Sequence, residues 1–152
     1  MNIREARTAD YEKIIEISES IYRSIENKAQ FNWPRVVLEN ELKSVSTLVV
    51  ESGGEVVSYL CYRDLPDVLE ISSLATKLSM QKNNFQTALI QFLQGLAVVR
   101  QKSIILEVHQ KNTIATGLYQ KMGFFLLYSR KRYYLDNGDA LIMKWDDNKA
   151  GC

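Results

Sequence analysis

The chain has 152 residues, 46% of them hydrophobic and 24% charged, which is material for one continuous core and too short for two domains of ordinary size. Its charges nearly cancel at net +1, with a pI near 7.7, so the basic footprint of a nucleic-acid binder is excluded. Cys61 and Cys152 fit neither a disulfide framework nor metal-ligand spacing, and the charged stretch Met1–Asp10 has no apolar signal segment. The expectation is a cytoplasmic protein that keeps away from membranes and needs no metal.

In chain order, Ile3–Ala6 reads as a short strand. Thr8 is placed to cap a first helix whose apolar positions Ile14, Ile15, Ile17 and Ile21 follow roughly helical spacing. Phe31-Asn32-Trp33-Pro34 opens a second helix that runs to about Leu42, since proline suits a first helical turn. Three β-rich runs follow, Thr47–Glu51, Val56–Arg63 and Val68–Ala75, with Ser52-Gly53-Gly54 turning between the first two. A polar loop, Thr76–Asn84, precedes a long helix, Phe85–Arg100, with Ala88, Leu89, Phe92, Leu93, Leu96 and Ala97 on one side. The stretch from Leu89 to Val99 within it is too short, and too broken by Gln91 and Gln94, to span a membrane.

Ser103–Val108 is the near-continuous apolar run of a central buried strand. Thr113–Met122 is a helix that Gly123 ends. Two last strands, Phe124–Leu135 and Ala140–Trp145, are expected to turn at Asp136-Asn137-Gly138. The order is β α α β β β α β α β β, in one domain over residues 1–145 with a polar tail over 146–152.

That order, with Leu106-Glu107-Val108, Asn112 and Leu118-Tyr119-Gln120-Lys121-Met122-Gly123-Phe124, resembles the GNAT superfamily of acetyl-CoA-dependent N-acetyltransferases. The resemblance implies an α/β (α+β) fold in which a central mixed, mostly antiparallel sheet of about seven strands is flanked by about four helices. Within the superfamily the chain is most similar to the bacterial ribosomal-protein-alanine N-acetyltransferases. Trp33, Ala75, Arg132-Tyr133-Tyr134 and Gly138-Asp139-Ala140-Leu141-Ile142-Met143 carry that closer likeness. It implies acetyl-CoA as donor and a protein N-terminal amine, that of a ribosomal protein, as acceptor, in a monomer or homodimer.

Transfer of an acetyl group to an amine needs a group to take the amine's proton and one to protonate the departing thiolate. An N-terminal amine has a pKa of roughly 7.7 to 8.0 against about 10.4 for lysine, so a carboxylate, directly or through water, can serve as base. Glu107 matches the family position of the general base, and a charge in an apolar strand must face a cavity or a partner. Tyr119 matches the general acid, although its spacing with Leu118 and Met122 also suits plain packing. Asn112 matches the asparagine that orients the pantetheine arm, and helix capping is its other reading. His109, the one histidine, shares a strand face with Glu107 by the two-residue period; the family position is not histidine, and a structural or solvated role is expected.

The resemblance also assigns Leu74, Ala75, Thr76 and the loop Gln81-Lys82-Asn83-Asn84-Phe85-Gln86 to the cofactor, and Trp33, Glu39 and Tyr134 to the acceptor. The loop departs from the family pattern Arg/Gln-x-x-Gly-x-Gly/Ala, whose glycines let backbone N–H groups close on the pyrophosphate. Asn84 stands for the first glycine, the least costly substitute in a left-handed turn. Gln86 stands for the second and brings a side chain where backbone should meet phosphate. Arg130-Lys131-Arg132, on an expected strand, reads as a solvated face. Two alternatives stay open at this point: an acetyltransferase for a small amine or a lysine side chain, and a binding module that has lost the cofactor.

Overall fold

The computed structural model describes residues 1–25 and 35–147. The expected helix start at residues 31–34, Trp33 included, and the tail from residue 148 lie outside the described residues. Among the described residues seven strands form one sheet: β1 (Asn2–Glu5), β2 (Ser46–Ser52), β3 (Glu55–Asp64), β4 (Val68–Thr76), β5 (Ser103–His109), β6 (Phe125–Arg130) and β7 (Ala140–Trp145), in the spatial order β1-β2-β3-β4-β5-β7-β6. The described helices are α1 (Tyr11–Ser24), α2 (Arg35–Leu42), α3 (Phe85–Arg100) and α4 (Thr113–Lys121). None is long and apolar enough to cross a membrane.

Neighbouring strands run antiparallel except β4 and β5, which are parallel and joined through α3. Each face of the sheet buries its own core. On one face Leu69, Leu89, Ile90, Leu93, Ala97 and Ile104, all fully buried, bring α3 onto the central strands. On the other, Ile14, Ile17, Leu38 and Leu42 pack α1 and α2 against Val49, Tyr59 and Cys61. Arg35 ties these two helices together at the surface, donating to Glu39 at 2.6 Å, Glu19 at 2.9 Å and Glu12 at 3.1 Å.

The parallel pairing of β4 with β5 is short. It runs from Val68 opposite Ser103 to Ile71 opposite Leu106 and then stops. Immediately afterwards β4 carries a bulge: Ser73 lies opposite Cys61 and Ile71 opposite Tyr62, leaving Ser72 as the extra residue. A bulge bends the strand that holds it and raises its twist, so β4 beyond Ser72 diverges from β5 beyond Leu106.

Three expectations are corrected. Thr8 does not cap α1; it begins a short 3-10 turn (Thr8–Asp10), and the Asp10 carboxylate accepts the Arg7 N–H at 2.7 Å while Arg4 holds that carboxylate at 2.7 and 3.0 Å. Phe92 is 45% exposed, and the fully buried Ile90 takes the expected core place, because the buried stripe on α3 runs Phe85, Leu89, Ile90, Leu93 and Ala97. The strand expected over Phe124–Leu135 ends at Arg130. Arg132 has φ +51° there, its N–H goes to the Asp139 carboxylate at 3.1 Å, and the chain leaves the sheet. β6, at the sheet's edge, also bulges at Leu127, since Leu126 pairs with Met143 and Tyr128 with Ile142.

The end of α4 is fixed sterically. Gly123 has φ +93°, and a Cβ there would lie 3.2 Å from Cδ1 of Trp145, whereas a Cβ on Gly117 within α4 would meet nothing within 4 Å. Gly123→Ala is therefore expected to destabilise the protein by about 1–3 kcal/mol. Gly117→Ala should instead stabilise it by roughly 0.5–1 kcal/mol, through helix propensity. Urea unfolding of the two variants checks both signs, and equal effects would refute the steric account.

Candidate active site

The alternation of β5 decides what lies where. Ile104, Leu106 and Val108 enter the core beneath α3, so Ile105, Glu107 and His109 point to the other face. Glu107 comes one residue after the last residue paired with β4, and its carboxylate meets the gap that the diverging strands leave. A cleft of about 390 Å³ opens there, lined among others by Ser72, Glu107, Tyr128, Arg130 and Tyr133. The Glu107 side chain is 29% exposed. Its Oε1 accepts the Tyr134 hydroxyl at 3.1 Å, and its Oε2 lies 4.0 Å from Nη1 of Arg130. Arg63, on the opposite wall, is neutralised by Glu70 at 2.8 Å and by Glu41 at the end of α2.

Tyr119 projects from α4, partly buried against the main core, with its ring tilted at 55° to that of Phe124 and 5.8 Å away. Burial pushes its phenol up to about 12, so it holds its proton throughout the neutral range. Asn112 caps α4: its Oδ1 accepts the Ala115 N–H at 3.2 Å. That is the capping role among its two readings, and it fixes where α4 starts relative to Glu107.

The residues assigned to the cofactor gather at the far end of β4. After a 3-10 turn (Leu78–Met80) the loop runs through Lys82 at φ +69° and Asn84 at φ +61° into α3. Asn83 holds its shape by donating to the Met80 carbonyl at 2.9 Å and the Gln81 carbonyl at 3.3 Å. The backbone therefore adopts the left-handed conformations that glycine would favour, with lysine and asparagine in its place. Phe85 turns its side chain into the core and leaves only its backbone to this region. A second cleft, of about 380 Å³, is lined by Thr76, Lys82, Asn84, Gln86, Ile114 and Leu118 among others. The first-turn N–H groups of a helix have no partner within it, and here they are joined by the Lys82 ammonium and by the apolar flank of α4. That donor set fits a diphosphate followed by an apolar arm, with Gln86 forming part of the wall. Leu74 lies partly buried against the main core, Ala75 belongs to the other, and Thr76 bonds Ser58 at 2.8 Å. The three lead from the gap beside Glu107 to this loop.

His109 is buried, with its side chain 0% exposed. Its Nδ1 accepts the Lys111 N–H at 3.0 Å, so the ring proton resides on Nε2, which faces both oxygens of Asp136 at 2.9 Å. The Tyr134 ring stacks on it at 4.5 Å and 25°. Of the two roles expected for His109, the structural one holds. Glu39, by contrast, is engaged at the surface by Arg35, and no described contact joins it to either cleft. Arg130, Lys131 and Arg132 are all exposed, as a solvated face requires; Arg130 also approaches Glu107 and lies over the Tyr133 ring, 5.4 Å from its centroid, while Lys131 pairs with Asp139 at 3.0 Å. The signal for Asp136 was its place in an Asp-Asn-Gly turn, which predicts a bend and says nothing of a histidine.

The raised Tyr119 phenol has a measurable consequence. A tyrosine whose folded pKa lies above its unfolded value of about 10 adds stability that is complete below pH 10 and is lost as pH rises through its folded value. Spectrophotometric titration of Tyr119→Phe should lose a component ionising near pH 12. Loss of a component near pH 10 instead would show the phenol to be solvated.

A family model described as the acetyltransferase (GNAT) family matches residues 3–124. A Bacillus subtilis protein assigned by name to the ribosomal-protein-bS18-alanine N-acetyltransferases is 29% identical over 146 residues, covering 94% of this chain and 93% of that protein. The crystal structure of the Escherichia coli ribosomal-protein-S18-alanine N-acetyltransferase superposes with a TM-score of 0.81 at 21% identity, covering 95% of this chain and 92% of that one. A GNAT acetyltransferase from Elizabethkingia anophelis with acetyl-CoA bound superposes with a TM-score of 0.73 at 15% identity, covering 95% and 97% of the two chains.

Proposed function

From the premise that the chain belongs to the GNAT acetyltransferase family and is an N-acetyltransferase, we propose that it acetylates the N-terminal amine of a protein, with acetyl-CoA as donor. The acceptor type is supported by the name of the Bacillus subtilis relative, the donor by the family and by the cofactor held in the Elizabethkingia anophelis structure. The observation that carries the reading is the position of Glu107, one residue past the last β4–β5 pair, at the mouth of a cleft.

Bound acetyl-CoA supplies an acetyl thioester; the rest is the work of side chains and backbone. The loop from Gln81 to Gln86 and the first turn of α3 hold the diphosphate with N–H groups and the Lys82 charge. Glu107 takes a proton from the acceptor's neutral amine, directly or through water, as the nitrogen forms its bond to the acetyl carbon. Tyr119 gives its phenolic proton to the sulfur as the carbon–sulfur bond breaks. A carboxylate suffices as base because an N-terminal amine, with a pKa of roughly 7.7 to 8.0, is already partly neutral at physiological pH. The left-handed turn at Lys82 and Asn84 favours retained donor binding over a module that has lost it.

Peptides with free N-termini should be acetylated, and the same peptides with blocked N-termini and free lysines should not. Acetylation of the blocked set at equal rate would move the acceptor assignment to lysine. Glu107→Gln should lower kcat by about 10²-fold, the low end for a lost general base; unchanged turnover across pH would remove Glu107 from that role. Calorimetry is expected to show micromolar acetyl-CoA binding, and Asn84→Gly should tighten it several-fold by relieving a left-handed residue. No binding at millimolar acetyl-CoA would refute the whole proposal.

A further inference from the structure

We propose that His109 is a positioning residue for Glu107, acting through Tyr134, and that the loop over residues 131–139 exists in this form to complete that link. The inference rests on the reading of Glu107 as base and adds to it what holds the base in place.

A glutamate at the end of a strand, partly exposed and on a flexible stem, samples several rotamers unless something fixes an oxygen. Here the fixing group is the Tyr134 hydroxyl on Oε1, at 3.1 Å. That leaves Oε2 toward the cleft, with Arg130 4.0 Å away. The hydroxyl is only as well placed as Tyr134, and Tyr134 belongs to a loop outside the sheet. Its ring stacks on the imidazole of His109 at 4.5 Å and meets the Tyr133 ring edge-on at 5.3 Å, and of these two contacts the one with His109 is anchored in the sheet. Glu107 and His109 stand two residues apart on one face of β5, so the strand, the imidazole, the phenol and the carboxylate form a closed circuit.

His109 is itself locked. One nitrogen takes the Lys111 N–H at 3.0 Å and the other faces Asp136 at 2.9 Å. The Asp136 carboxylate in turn accepts the Gly138 N–H at 2.9 Å and lies 3.7 Å from the Lys111 ammonium. The Gly138 carbonyl takes the Tyr134 N–H at 3.2 Å, and the Tyr134 carbonyl takes the Asn137 N–H at 2.9 Å, closing the turn on itself. At Gly138 an added Cβ would come within 2.3 Å of the His109 ring, which makes backbone contact with the imidazole possible for glycine only. A histidine serving merely as filler would need neither the carboxylate nor a backbone shaped against its ring. The chain of contacts runs unbroken from Asp136 to the carboxylate of Glu107.

Steady-state kinetics on Tyr134→Phe, His109→Gln, Glu107→Gln and the paired variants tests this, with acetyl-CoA binding by calorimetry confirming that each variant is folded. Tyr134→Phe and His109→Gln should each lower kcat about ten-fold, with KM for acetyl-CoA unchanged. The His109→Gln/Tyr134→Phe pair should lose no more than either alone, and Tyr134→Phe should cost nothing further in a Glu107→Gln background, because residues acting as a unit are not additive. Should His109→Gln fail to fold, Asp136→Asn replaces it with the same expected pattern. Multiplying effects in either pair, or a rise in acceptor KM with kcat unchanged, would overturn the positioning role while Glu107→Gln still impaired turnover. Unchanged turnover in Glu107→Gln would defeat the base assignment, and this proposal with it.

Discussion

Two parallel strands held together for four residues and then allowed to part are the constraint on which this molecule is organised. β4 and β5 pair from Val68 and Ser103 to Ile71 and Leu106, and the bulge at Ser72 turns β4 away just where the pairing ends. An open edge inside a sheet is ordinarily a fault, because backbone donors and acceptors lose their ladder. Here β3 still covers one side of β4 and β7 one side of β5, so the gap is bounded by intact sheet. Glu107 stands on one lip of the gap, the stretch Leu74–Thr76 forms the other, and the loop to α3 leaves from its end. A straight β4 would have paired through to His109 and closed the gap.

The helix starts follow from that arrangement. β4 ends in a loop whose two left-handed residues, Lys82 and Asn84, aim the first turn of α3 at the space beside α4. Asn112 sets the corresponding start for α4. The result is one cleft lined by carboxylate, phenols and guanidinium on the Glu107 face and a second lined by backbone, ammonium and apolar groups near Lys82. That separation suits a reaction that brings a charged amine and a diphosphate-bearing donor from different directions.

Much of this was legible in the chain because it is local. α3 runs from Phe85 to Arg100 as expected, since a polar loop and an apolar run mark its start and the pattern persists to the end. Glu107 announced itself as a charge within an apolar strand. The end of β6 was not legible: Tyr133, Tyr134 and Leu135 have the composition of a strand, and what removes them from the sheet is the docking of Tyr134 on His109 and the capture of the Arg132 N–H by Asp139, contacts made across the fold. For the same reason the approach of Arg130 to Glu107 could not be read from a run of three basic residues. Phe92 misled because a helical stripe drifts around the axis, and α3 buries Ile90 in its stead.

The bulge at Leu127 bears on how the molecule meets its neighbours. β6 is the last strand of the sheet and carries Leu126, Leu127 and Tyr128 exposed at 47–55%, a composition that on a flat edge would template a foreign strand. The extra residue breaks the alternation between Leu126 and Tyr128, so an incoming strand in regular register could not match both halves of the edge. The apolar side chains remain at the surface, while the backbone beneath them is a poor seed for fibrous growth.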